Sequence, residues 1–82
     1  MEKRIGTITL LVSDRSQAAE INQILSACGD IILCRQGLPF RDRPVAVIVL
    51  IVEGTSDRIN ALTGRLGRLA GVESKAVLTR SA

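Results

Sequence analysis

Eight consecutive residues, Val45 to Val52, are apolar, and six of them branch at Cβ. Branched side chains are stiff about χ1 and fit a pleated surface better than a helix. The run is far too short to cross a bilayer as a helix. A strand with one wet face alternates polar and apolar residues. This run does not, so it reads as a β-strand covered on both faces. The chain has 82 residues, one domain's worth, and a domain of that size hides only about 60–65% of its unfolded surface. One of the two covers can therefore come from a second copy of the chain.

The apolar fraction is 46% and the aromatic fraction 1%, so the core has to be built from Ile, Val, Leu and Ala. The net charge of +3 is mild, and its basic residues are spread along the chain. Nucleic-acid-binding domains show a basic stripe, and single-strand binders add stacking aromatics. Phe40 is the only aromatic residue, so direct contact with nucleic acid is not expected. The opening Met1-Glu2-Lys3-Arg4 leads into a strand-like pattern with no signal peptide. A cytoplasmic protein without a membrane anchor is the expectation, and its two cysteines are expected as reduced thiols.

Along the chain, Ile5–Val12 alternates as a strand, with Ile8, Leu10 and Val12 on one face and Thr7, Thr9 and Leu11 on the other. Asp14 and Ser16 follow as helix caps. From Gln17 to Cys28 the apolar positions Ala18, Ile21, Ile24, Leu25 and Cys28 make one helical stripe. Gly29 stands where a left-handed residue commonly ends a helix. Ile31–Arg35 is a second strand, and Gln36–Arg43, with Gly, Pro and charges, reads as a connection or projecting hairpin tip. The long strand Val45–Val52 comes next. Thr55, Ser56 and Asp57 offer caps for a helix whose face is Ile59, Leu62, Leu66 and Leu69. Gly64 and Gly67 interrupt it, with close approach to a sheet or another backbone as the simple reason, and Gly71 closes it. Val72–Thr79 is the last strand, and Thr79–Ala82 a frayed tail.

Strand, helix, strand, strand, helix, strand is the split βαβ pattern of ferredoxin-like α+β domains. Right-handed crossovers put both helices on one face of a four-stranded antiparallel sheet, in the spatial order 4-1-3-2. The other face carries Leu11 together with either Ala46, Ile48, Leu50 and Val52 or the opposite set Val45, Val47, Val49 and Ile51. A bare apolar face marks an interaction site. A homo-oligomer follows, most simply a two-fold dimer joined through sheet faces or edges.

Catalysis finds little support. The chain has no His, no Gly-x-Ser-x-Gly nucleophile motif and no evident carboxylate pair. Cys28 and Cys34 lack the spacing and the companion ligands of a metal site, so both read as small core hydrophobes, and no metal or cofactor is expected. The glycines at 64, 67 and 71 have no phosphate-loop spacing. Two places remain. Asp14-Arg15 lies between the first strand and first helix, where free helix N–H groups can hold an anion or carboxylate, or where a plain capped turn suffices. The segment Arg35–Arg41 exposes Leu38 and Phe40 between arginines, as a subunit-contact arm or a ligand lid.

The segments Arg35-Gln36-Gly37-Leu38-Pro39, Val45–Val52 and Ala61-Leu62-Thr63-Gly64-Arg65-Leu66-Gly67-Arg68-Leu69-Ala70-Gly71-Val72 resemble the small proteins called iron-only hydrogenase system regulators. The resemblance covers almost the whole chain. It implies an ACT-like ferredoxin fold related to the C-terminal domain of nickel-responsive regulators, an oligomer (dimer or tetramer), and a regulatory role near hydrogenase genes, in transcription or in assembly. ACT domains bind amino acids at subunit interfaces through an Asp-x-Pro-Gly turn. Asp14 stands where that turn begins, but Arg15-Ser16-Gln17 replaces the rest. The nickel regulators' metal ligands include His, which is absent here. The expectation is thus a non-enzymatic module that senses a small-molecule effector or signals through a partner protein, with Asp14, Arg15, Ser16, Gly37 and Arg41 as ligand contacts. The alternative is a structural assembly protein for hydrogenase maturation that binds no ligand.

Overall fold

The computed structural model describes residues 2–80. Its elements are β1 (Arg4–Val12), a 3-10 turn (Arg15–Gln17), α1 (Ala18–Ala27), β2 (Ile32–Pro39), β3 (Ala46–Gly54), α2 (Ser56–Gly67) and β4 (Val72–Leu78). The strands form one antiparallel sheet in the order β2-β3-β1-β4. This is the expected order seen from the other edge, and the fold is the ferredoxin-like α+β arrangement. The most apolar strand, β3, is central, paired with β1 on one side and β2 on the other.

Alternation decides which side chains enter the core. Ile8 and Leu10 of β1 are completely buried, each opposite Leu50 or Ile48 of β3. Ile21, Ile24 and Leu25 of α1 and Ile59, Leu62 and Leu66 of α2 close over them, each set on one helical stripe. Each such aliphatic side chain contributes about 1.5–3 kcal/mol on burial. The other face is settled by register: Thr7, Thr9 and Leu11 pair with Ile51, Val49 and Val47. Three rows cross all four strands on this face, and Ile5 with Glu53 adds a shorter fourth. One joins Val77, Thr7, Ile51 and Cys34, the next Lys75, Thr9, Val49 and Gln36, and the third Glu73, Leu11, Val47 and Leu38. Leu11, Leu38, Ile51 and Val77 are exposed there.

Several boundaries differ from the sequence reading. β2 continues through Gln36 to Pro39, and the hairpin tip shrinks to residues 40–45. An edge strand has one free side, so it tolerates Gly37 and Pro39. A register shift between Ile32 and Cys34 turns Cys34 to the uncovered face, where it is exposed rather than a core residue, while Cys28 is half-buried against the core. Phe40 is half-buried, not an exposed tip residue. Gly29 does not adopt positive φ, and α1 ends through N–H bonds from Cys28 and Gly29 to Leu25 and Ser26 carbonyls. α2 runs unbroken through Gly64 and stops at Gly67. A Cβ at Gly64 would meet only the Arg68 side chain at 3.8 Å, and one at Gly67 only ordinary contact with Ser74, so close approach does not require either glycine. The backbone and side chain of Thr79 both donate to the Ile5 carbonyl, so fraying does not begin there. Ser81 and Ala82 of the expected tail lie outside the described residues.

The turn after α2 is tied to the turn after β1. Gly71 has φ of 72°, its carbonyl accepts from Ser13 N–H at 2.7 Å, and a Cβ there would stand 2.7 Å from the Asp14 Cβ. Gly71→Ala is expected to cost roughly 1–3 kcal/mol, and Gly64→Ala to add about 0.5–1 kcal/mol, both read from denaturation midpoints. Equal effects of the two would contradict this reading of the glycines.

Arg58 of α2 grips Asp30, in the turn after α1, with both guanidinium nitrogens, the second bond at 3.0 Å. The hydrogen bonds from Arg58 hold the Asp30 carboxyl below its ordinary 3.8 and raise Arg58 in turn. A depressed carboxylate contributes stability above its unfolded value and loses it as pH falls through the lower folded one. Asp30→Asn should therefore flatten the acid limb of the stability profile below the ordinary carboxylate value. Parallel acid limbs for the two proteins would show that the pair carries no linkage.

Candidate functional site

The first turn after β1 is built on Asp14. Its carboxylate accepts the Ser16 backbone N–H at 3.0 Å and the Ser16 hydroxyl at 2.6 Å. The hydroxyl bond first, and the backbone bond second, hold the Asp14 carboxyl below its usual range. Asp14 and Ser16 thus shape the turn and satisfy each other. Arg15, between them, projects sideways, and its guanidinium donates to the Phe40 carbonyl at 3.2 Å. The β1–α1 turn is thereby fastened to the tip of the β2–β3 hairpin. Phe40 in turn lies under the Arg43 guanidinium, 5.0 Å from its ring centre.

Beside this contact the helical layer leaves a gap. All of β2 after Ile32 is exposed. Between α1 and the β2–β3 pair lies a cleft of about 220 Å³. Its apolar walls come from Val12 and Ile21 and from Ala46 and Ile48, with Ala18 and Pro39 at the margins. Three polar side chains complete it: Arg15, Arg35 and Asn22. Arg35 reaches from β2 to donate to the side-chain Oδ1 of Asn22 at 2.8 Å, bridging strand to helix. No carboxylate lines the cleft. Each guanidinium presents five N–H donors in a planar fork, so the two arginines make a cationic mouth over an apolar floor.

The residues expected from sequence fall in different places. Arg15 is in the cleft wall. Gly37 pairs with Ile48, between Arg35 and Pro39 on the cleft side of β2, and a Cβ built on it meets no atom within 4 Å. Arg41 lies at the hairpin tip, beside a shallow hollow of about 690 Å³ that it shares with Arg15, Phe40 and Arg43. Asp14 and Ser16 line neither space. Arg35 and Asn22 were not among the expected contacts. The available signal was parity: Arg35, Gly37 and Pro39 share one face as soon as β2 is extended to Pro39. Among the described residues, no group of three His, Cys, Asp or Glu side chains is placed to hold a metal ion. No helix among them is long and apolar enough to cross a membrane.

Residues 4–76 match the family described as "TM1266-like: Iron-only hydrogenase system regulator, putative". The chain belongs to this family. The solved structure of uncharacterized protein TM1266 from Thermotoga maritima shares 38% sequence identity with it and superposes with a TM-score of 0.89, over 96% of this chain and 100% of that one. None of the curated proteins matches. The resemblance read from the Arg35–Pro39 and Ala61–Val72 segments therefore holds, and so does the ferredoxin-like fold it implied.

Within this fold Arg15 holds two loops together. Arg15→Met is expected to speed amide hydrogen exchange several-fold at residues 40–45, with the β1–β3 amides unchanged. Unchanged exchange at the tip would show that the Arg15–Phe40 bond restrains nothing.

Proposed function

We propose that the chain is a non-enzymatic regulatory module of the iron-only hydrogenase system, which senses a small carboxylate-bearing molecule in the cleft between α1 and β2. The observation that carries this reading is the pair of arginines over an apolar floor with no acid among the lining residues. Guanidinium forks match carboxylates in two-point, charge-assisted hydrogen bonds. The volume, about 220 Å³, is below the roughly 300–1,000 Å³ usual for drug-sized ligands, which favours a molecule of amino-acid size. The lining residues include no His, Cys or carboxylate to move a proton or attack a substrate, which favours binding over catalysis.

The signal has a short path. A carboxylate on Arg15 competes with the Phe40 carbonyl for the same guanidinium, so occupancy loosens or re-aims the hairpin tip. A partner protein reading that tip senses the ligand. The ligand-free alternative, an assembly protein for hydrogenase maturation, draws support from the apolar sheet face opposite the helices, which suits a scaffold equally well.

Thermal shift with amino acids and short carboxylic acids separates the two. A ligand at about a hundred times its dissociation constant adds about 2.7 kcal/mol, a clear rise in melting temperature. Arg15→Gln and Arg35→Gln should each remove the rise, and Gly37→Leu, which fills open space, should remove it without lowering the unliganded melting temperature. No rise with any carboxylate at millimolar concentration would leave the assembly role standing.

A further inference from the structure

We infer, on the reading of the cleft as a carboxylate site, that its ligand carries no amino group. The occupant is a 2-oxo acid or simple carboxylate with a short aliphatic body, and the cleft rejects the α-amino acid of the same carbon skeleton.

An α-amino acid carries its ammonium one carbon away from its carboxylate, so a site that holds one must also answer the other. An ammonium has three donors and no acceptor, and away from bulk water it needs a carboxylate or free carbonyl oxygens. The cleft offers neither. Its polar wall is Arg15, Arg35 and Asn22. Two of these are cations, and Asn22 already turns its Oδ1 to the Arg35 guanidinium at 2.8 Å. The Phe40 carbonyl, at the hairpin tip, accepts from Arg15 at 3.2 Å. The nearby acids are held elsewhere. Asp14 accepts twice from Ser16, and Asp42 pairs with Arg43 at 3.5 Å beside the tip hollow; neither lines the cleft. Glu20 is exposed on α1 and does not line it. An ammonium seated here would lie beside two guanidinium groups, with no anion but its own carboxylate. Like charges so placed act against the wrong ligand.

The same donors suit an oxo acid. A guanidinium has five N–H groups, and Arg35 uses one nitrogen on Asn22, so the two forks have more donors than one carboxylate takes. A 2-oxo oxygen beside the carboxylate accepts from the remainder. The rest of the ligand meets Val12, Ile21, Ala46 and Ile48. That wall has no hydrogen-bonding side chain, so an aliphatic body gains there by burial and a second charged group does not.

Isothermal titration of the full chain with 3-methyl-2-oxobutanoate, 3-methylbutanoate, valine and succinate tests this. The two unaminated branched acids should bind about tenfold or more tighter than valine, and tighter than succinate. Asn22→Asp sets a carboxylate in the wall at an exposed position of α1, and should cut the preference over valine about tenfold. Asn22→Ala should keep the preference, with circular dichroism to confirm that both variants fold. Valine binding as tightly as the oxo acid, succinate binding more tightly, or a preference that Asn22→Asp leaves unchanged or Asn22→Ala abolishes would overturn the inference and leave the carboxylate site standing. No binding of any of these acids at millimolar concentration would remove the site and the inference together.

Discussion

A β-strand that is apolar on both sides gains most where both sides are covered, and β3 is apolar on both sides with only one of them under the helices. Its backbone is satisfied by β1 on one side and β2 on the other. Its even-numbered residues from Ala46 to Val52 sit under the two helices, with Leu50 and Val52 completely buried. Its odd-numbered residues Val47, Val49 and Ile51 lie on the face the helices do not reach. The rest of the chain is arranged around satisfying the first set. The second set is as apolar as the first, and no polar residue is spent on it until Glu53.

The helical cover is uneven, and the candidate site follows from that. α2 packs closely on β4, while β2 stays exposed beyond its first residue. The gap over the β2–β3 pair is bridged by polar contacts instead of apolar ones: Arg35 to Asn22 across its length, and Arg15 to Phe40 at its end. Such contacts at exposed positions add little stability. Their arrangement concentrates positive charge over an apolar hollow, which is what recognition of a small carboxylate requires. The same chain thus has two open surfaces of different chemistry, a cationic cleft on the helix side and a largely apolar sheet face on the other, with its charges Glu53, Glu73 and Lys75 at the end of β3 and along β4.

Much of the fold was legible because its signals are local. The unbroken Val45–Val52 run, the stripes Ile21–Ile24–Leu25 and Ile59–Leu62–Leu66, and the Thr55 cap that accepts the Arg58 N–H all sit where periodicity places them. The strand order followed from connection rules alone. What stayed hidden depended on register and on contacts distant in sequence. The shift after Ile32 turns Cys34 out of the core, and a two-residue period cannot foresee one irregular residue. The extension of β2 through Gly37 and Pro39 looked like a loop, because composition does not reveal that the strand lies at an edge. The bond from Arg15 to Phe40 and that from Arg35 to Asn22 join residues 25 and 13 positions apart. Arg15 and Gly37 were picked out as contacts for simple reasons of turn and exposure, but the cleft they border with Arg35 exists only once α1 is laid across the sheet.

The central claim is that the apolar pattern of β3 calls for cover on both faces, of which the helices supply one. Methyl-labelled protein exposed to a soluble paramagnetic relaxation agent measures this side chain by side chain. With the second face covered in solution, the methyls of Val47 and Val49 should be shielded nearly as well as those of Leu50 and Val52, while Leu33, exposed at the register shift, is strongly relaxed. Relaxation of Val47 and Val49 as strong as that of Leu33, at every concentration, would show that one face of the strand stands in water and would contradict the account.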